Sequence, residues 1–219
     1  MAKAVMTVAR QSMREEIVEA ALDQFHSRGY NAAGVKDITA TAGAPKGSFY
    51  NHFDSKEALA LTALERYGET LRMRDLADAS VAPVARLRAH FEFLRDETVG
   101  HGYKRGCMFG NFGTEIGDHS EVLRVGVEQN LVVWTTLVAD VIGEAQRGGE
   151  VRGDLDPATT ARFVVNAWEG TLIDARATRS ADAFGSFFAL VFGTLLTAPA
   201  KAPGEGGADA DGRRSQRGA

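Results

Sequence analysis

The sequence predicts an all-α protein on three observations. Apolar residues recur at three- and four-residue spacing in almost every segment. No segment sustains the period-two alternation of a half-buried strand. Glycines, prolines and short polar residues stand where such segments would start and stop. About nine helices are expected, and the composition agrees: 219 residues with 44% hydrophobic, 25% charged and 8% aromatic residues are those of an ordinary globular chain.

The first helix is predicted over Arg10 to Arg28. Met13, Ile17, Ala20, Ala21 and Phe25 form its apolar stripe, and Gly29 supplies a left-handed cap. A short second helix covers Val35 to Ala42 and stops at Gly43. A third starts at Pro45, whose fixed φ suits a first turn, and turns Phe49 and Phe53 inward. The fourth is capped by Asp54 or Ser55 and runs through Leu59, Leu61, Leu64 and Tyr67 to about Ala77. Further helices are expected at Pro83 to Val99, Cys107 to Ile116, Ser120 to Arg147, and from the Asp156 cap through Pro157 to Arg176. In the last, Asp182 to Leu196, seven large apolar residues (Phe184, Phe187, Phe188, Leu190, Val191, Phe192 and Leu195) surround nearly the whole circumference. Such a helix has to be buried on two sides, either by its own core and a second copy of the chain or as the central helix of a monomer.

The expected organisation is a flexible N-terminal arm at 1–9, a helix-turn-helix unit at 10–55, a helical ligand-binding and dimerisation domain at 56–198, and a disordered tail at 199–219, poor in large apolar residues. One cysteine, Cys107, allows no intramolecular disulfide and no cysteine-built zinc site. The longest apolar run, Gly185 to Leu196, is shorter than the ~20 residues of a membrane span. A cytoplasmic location, no membrane and no cofactor are therefore expected.

Three short helices, two of them joined by Gly43-Ala44-Pro45, form a helix-turn-helix candidate. With Phe49 and Phe53 inward, the third helix leaves Lys46, Ser48, Tyr50, Asn51 and His52 outside, groups suited to phosphate oxygens and base edges. The net charge of -4 argues against coating nucleic acid by bulk charge. Residues 1–56 nonetheless carry seven basic against six acidic groups, and Lys36, Lys46 and Lys56 flank the reading helix.

The run from Arg14 to Leu59 resembles the DNA-binding domain of the TetR family of transcriptional regulators. The residues that carry the likeness include Ala20-Ala21, Phe25, Gly29-Tyr30, Asp37-Ile38, Ala42-Gly43, Lys46-Gly47-Ser48-Phe49-Tyr50, His52-Phe53 and Ser55-Lys56-Glu57. The resemblance implies a homodimeric regulator, usually a repressor, on a double-stranded operator, with the last two helices making the dimer. It implies that Lys46, Gly47 and Ser48 approach bases or phosphates, that Tyr50 and His52 hold the phosphate backbone, and that Lys56 pairs with a further phosphate. Ala33-Gly34 departs from the family pattern, which commonly has a hydroxyl residue capping the second helix.

Farther on, Arg105-Gly106-Cys107-Met108-Phe109-Gly110-Asn111-Phe112 with Glu115, Trp134 and Trp168-Glu169-Gly170 resembles a NemR/AcuR-type subgroup of that family. Two readings of Cys107 stay open: a sensor thiol with its pKa lowered by a helix N-terminus and by Lys104 and Arg105, or a small packed hydrophobe. A cavity lined by Phe91, Met108, Phe112, Trp134 and Trp168, with Asn111 or Glu169 as polar anchors, would hold a small apolar effector. Each aromatic serves equally as core. Cys107, Asp118, His119 and Glu121 lack a convincing metal-ligand spacing. The function expected is a palindrome-binding homodimer, released when a small-molecule or electrophilic effector moves the fourth helix. The rival readings are an all-helical enzyme with Cys107 as nucleophile and a ligand-binding dimer without DNA binding.

Overall fold

The computed structural model describes residues 2–198, and within them the chain is built of helices joined by short turns, with no strand. The tail expected at 199–219 lies outside the described residues. Helix α1 spans Ala2–Arg28. The segment expected to be a flexible arm is thus helical from Ala2, because no glycine or proline interrupts the chain before Gly29. Gly29 then takes φ +83° and donates its N–H to the Phe25 carbonyl at 2.9 Å, closing the helix.

Helix α2 (Val35–Thr41) begins at Gly34, which caps without a side chain. A side chain there would come within 3.3 Å of the Asp37 carboxylate. The third helix of the unit, Lys46–Asn51, is a 3-10 turn rather than an α-helix. The nine residues between Pro45 and the Ser55 cap leave little room for α-type bonds, and the six-residue turn still buries Phe49 and Phe53. Ile17, Ala21, Phe25 and Ile38 complete the core beneath them.

Helix α3 (Lys56–Thr70) is capped by the Ser55 hydroxyl, which accepts from the Ala58 N–H at 3.1 Å. It ends seven residues earlier than its apolar spacing predicts. Arg72 turns left-handed at φ 55°, and a separate 3-10 turn follows at Met73–Ala77. That break lets Arg72 lie over the Phe93 ring and pair with Asp75 at 2.5 Å.

The remaining helices are α4 (Pro83–Gly100), α5 (Met108–Ile116), α6 (Glu121–Arg147), α7 (Pro157–Thr178) and α8 (Asp182–Leu190). A π turn at Val191–Leu195 prolongs α8. Cys107, Ser120 and Asp156 are the N-caps of α5, α6 and α7, and the last two accept backbone N–H groups through their side chains. Phe91 on α4 is the hub of the body's core, with ring centroids 5.1 Å from Trp168, 5.1 Å from Phe187 and 6.2 Å from Trp134.

Two further expectations change. By length and composition α6 is apolar enough to cross a membrane, although charged residues interrupt its apolar runs. Its Leu123, Val127, Trp134, Val138, Val141 and Ile142 are buried within the protein, and Glu144 near its end pairs with Arg86 of α4. The last helix is covered by the protein on only part of its circumference. Phe184, Phe187, Phe188 and Val191 are buried, whereas Leu190 is 65% exposed.

Candidate nucleic-acid interface and effector cavity

The outer face of the helix-turn-helix unit follows from its inner one. With Phe49 fully buried and its ring 5.9 Å from that of Phe53, the intervening side chains are forced outward. Lys46, Gly47, Tyr50 and Asn51 are exposed, Ser48 and His52 are half-buried, and Lys36 is exposed on the first turn of α2. Tyr50 is 65% exposed, unusual for so large a ring, and is held edge-on against Phe49 at 5.1 Å. The Ser48 hydroxyl donates to the Pro45 carbonyl at 2.7 Å, which fixes its oxygen as an acceptor at the surface.

Lys56 is arranged differently from a free phosphate ligand. Its Nζ donates to the Tyr30 carbonyl at 2.5 Å and lies 4.1 Å from the centre of the Tyr30 ring. Burial lowers its pKa, and the Glu115 carboxylate opposes that shift. The lysine ties α3 to the turn between α1 and α2.

The same turn is also held by the body. Glu115 on α5 accepts the backbone N–H groups of Tyr30 and Asn31, through Oε2 at 2.8 Å and Oε1 at 2.7 Å. Higher on α1, the His26 ring nitrogen Nε2 lies 2.7 Å from the Gly106 carbonyl and Arg105 pairs with Asp23 at 2.7 Å. Since a carbonyl only accepts, His26 Nε2 carries the proton. Burial lowers the His26 pKa to about 4, so the ring is neutral. Arg66 of α3 adds contacts to Glu15 and Glu19 of α1 at 2.7 and 2.6 Å.

Between α1 and α3 on one side and the later helices on the other lies a cavity of about 180 Å³. Leu22 and His26 reach it from α1, Tyr67 and Thr70 from α3, and Phe93, Leu94, Glu97 and Thr98 from α4. His101, Arg105, Gly106 and Cys107 come from the loop before α5, and Trp134, Trp168 and Leu172 from α6 and α7. Of the expected lining, Trp134 and Trp168 are present, and Cys107 stands beside them. Phe91, Met108 and Phe112 are fully buried in the core behind it, Phe112 against Phe25 and Tyr30. Asn111 is engaged elsewhere, donating to the Arg105 carbonyl at 2.9 Å and accepting from Arg176 at 3.3 Å.

Of the two readings open for Cys107, its surroundings are those of the packed thiol. The side chain is 5% exposed, and burial first, then the neighbouring Glu169 carboxyl, push its pKa well above the usual thiol value. The helix N-terminus and Arg105 do not offset this, because Arg105 spends its charge on Asp23. Glu169 is itself raised to about 7 by burial. Tyr67, also fully enclosed, is raised by burial and by Cys107. Sequence reasoning missed Tyr67, His26, Thr98 and His101 as cavity residues. Tyr67 falls on the inward stripe of its helix, where a core position and a cavity wall have the same periodicity, and His26 stands beside the stripe of α1, next to Phe25. Among the described residues, no group of three or more His, Cys, Asp or Glu side chains is placed to hold a metal ion.

Residues 17–63 match the family model described as bacterial regulatory proteins, tetR family, and residues 83–191 match a tetracyclin repressor-like C-terminal domain. The chain is 36% identical over 192 residues to the HTH-type transcriptional repressor DhaR of Mycobacterium sp., covering 86% of this chain and 95% of that protein. It is 34% identical over 176 residues to the transcriptional regulator AcuR of Cereibacter sphaeroides, covering 79% and 80%. A TetR regulatory protein from Rhodobacter sphaeroides has a similar crystal structure, with a TM-score of 0.74 at 33% identity, covering 80% of this chain and 94% of that one. The reduced form of Escherichia coli NemR shares the fold, with a TM-score of 0.77 at 24% identity over 85% of this chain and 99% of that one. A polar reading face on a three-helix head, a helical body with a cavity against that head, and both matching domain models agree: the chain belongs to the TetR family of transcriptional regulators, and is not an enzyme.

Proposed function

We propose that the protein is a cytoplasmic homodimeric repressor that binds a palindromic operator and lets go when a small, mostly apolar molecule enters the cavity between its domains. The observation that carries this reading is the position of the cavity. Leu22 and His26 of the DNA-binding domain share one wall system with Thr98, Cys107, Trp134 and Trp168 of the body, so an occupant touches both parts at once. An effector shifts an equilibrium only by its differential affinity for two states, and a site spanning the moving parts supplies that difference.

Lys46, Gly47, Ser48, Tyr50, Asn51 and His52 are assigned to the operator, with Lys36 at the flank. Lys56 holds the Tyr30 turn and contributes to phosphate binding through its placement. Dimerisation supplies the second reading head. Phe163 and Ile173 on α7 and Leu190 on α8 are 60%, 68% and 65% exposed, an apolar surface on the two last helices that a second copy would cover. Two heads in successive major grooves need a separation of ~34 to 36 Å or a multiple of it. A hundredfold release of operator requires ~2.7 kcal/mol of coupling, a usual value for such systems.

The buried, proton-retaining Cys107 favours reversible occupation of the cavity over reaction at a thiolate. N-ethylmaleimide treatment of the protein and of Cys107→Ser distinguishes these: rapid loss of operator binding in the first alone would make the thiol the sensor. The DNA-binding reading is tested by selecting a duplex from random DNA and measuring its affinity with Lys46→Ala and Tyr50→Ala. Each is expected to weaken binding by roughly tenfold, Lys46→Ala also flattening the salt dependence by about one phosphate contact, with unchanged thermal stability because both residues are exposed. Unaltered affinity in both variants would overturn the assignment.

A further inference from the structure

We propose that Glu115 is the positioning residue through which the body sets the pose of the reading head. Its carboxylate straps the backbone N–H groups of Tyr30 and Asn31 at 2.8 and 2.7 Å and so links the effector cavity to the DNA face. This inference rests on the regulator reading above.

Three features build the strap. Gly29 at φ +83° has no side chain, and a Cβ there would stand 2.5 Å from Glu115 Oε2, so the carboxylate reaches the backbone only because the turn begins with glycine. Lys56 holds the same turn through its Nζ, which donates to the Tyr30 carbonyl, so a carboxylate and an ammonium both grip one peptide segment. Tyr30 and Asn31 lie four and three residues before Gly34, the cap of α2, so the orientation of α2 follows from the turn they form.

The connection to the cavity runs along α5. Cys107, its N-cap, is in the cavity wall, and Glu115 stands eight residues farther on the same helix, ~12 Å away at 1.5 Å per residue. The loop before α5 is tied to α1 through His26 with Gly106 and Asp23 with Arg105. A rigid helix held to the head at both ends cannot shift at its cavity end without moving the Tyr30 turn. Coupling then passes through α5 in addition to α3, the helix the sequence singles out for that role.

The test uses the full chain and a duplex selected by it. Trp134 and Trp168, the two tryptophans of the chain, both line the cavity, so their emission reports on it without an effector. Coupling is reciprocal, and operator binding is expected to change that emission in the unaltered protein. In Glu115→Ala the change should disappear at saturating duplex, and the affinity should fall by roughly tenfold or more, as expected for losing hydrogen bonds to a charged group. Glu115→Gln keeps the volume and one carbonyl acceptor but turns an NH2 toward an N–H. It should show the same lost response with a smaller affinity loss, and it carries the test if the alanine variant does not fold. Weaker binding with an unchanged tryptophan response would make Glu115 a mere prop of the turn and overturn the coupling. A response equal to the unaltered protein's in both variants, or none in the unaltered protein, would overturn it as well. Failure of the unaltered chain to select any duplex would instead remove the regulator reading itself.

Discussion

Glu169 and Cys107 show how burial decides the chemistry of single residues in the body. A carboxyl with a pKa of 4.5 when unfolded and about 7 when folded holds more protons in the folded state between those values. Stability therefore falls as pH rises from 4.5 to 7 and stays reduced above that. Cys107 and Tyr67, the titratable groups beside it, are themselves raised and remain neutral, so they do not compensate. Glu169→Gln is expected to raise thermal stability at pH 8, by up to about 3 kcal/mol, and to change it little at pH 4.5. Denaturant melts at the two pH values check this, and equal effects at both would show that the carboxyl ionises freely. The motif Trp168-Glu169-Gly170 was legible as a polar residue among aromatics. Its raised proton affinity was not, because that comes from burial among helices that meet only when the chain packs.

At the scale of elements, apolar spacing and caps located most helices to within a residue or two. Ser120, Asp156 and Pro157 open helices where hydrogen-bonding geometry requires such residues. The departures have local causes. Alanine-rich sequence without a breaker extends α1 to Ala2, crowding between Pro45 and Ser55 tightens the reading helix to 3-10, and the left-handed Arg72 ends α3 despite unbroken periodicity. Gly29 joins two elements: Gly29→Ala introduces a left-handed alanine, at about 1 to 2 kcal/mol, and pushes on the Glu115 carboxylate. Thermal unfolding should show a loss of at least that size, together with weaker operator binding. A variant as stable as the parent would mean that the turn relaxes to another conformation without cost.

For the whole molecule, the exposed apolar surface on α7 and α8 is what a single chain leaves unfinished. Ile173→Glu places a charge on a residue that is 68% exposed in the isolated chain, so the monomer should fold normally. Sedimentation is expected to show the parent as the proposed dimer at micromolar concentration and the variant as a monomer, and operator affinity should fall by two orders of magnitude or more because one head alone remains. A dimeric variant with parental affinity would move the interface elsewhere. The overall charge of -4 is also a whole-molecule average: the head is slightly basic and the body acidic, which leaves DNA affinity to a few placed contacts.

The sequence by itself determined the helical class, the helix-turn-helix head and its outward polar residues, because periodicity, caps and the Phe49 and Phe53 pair are local properties. It also marked Cys107, Trp134 and Trp168 as residues of one region. Only the tertiary structure decided that Lys56 binds the Tyr30 carbonyl, that Glu115 grips the same turn, that His26 and Tyr67 wall the cavity, and that the Cys107 thiol keeps its proton. Each of these depends on groups far apart in the chain, whose distance and desolvation are set only when the helices pack.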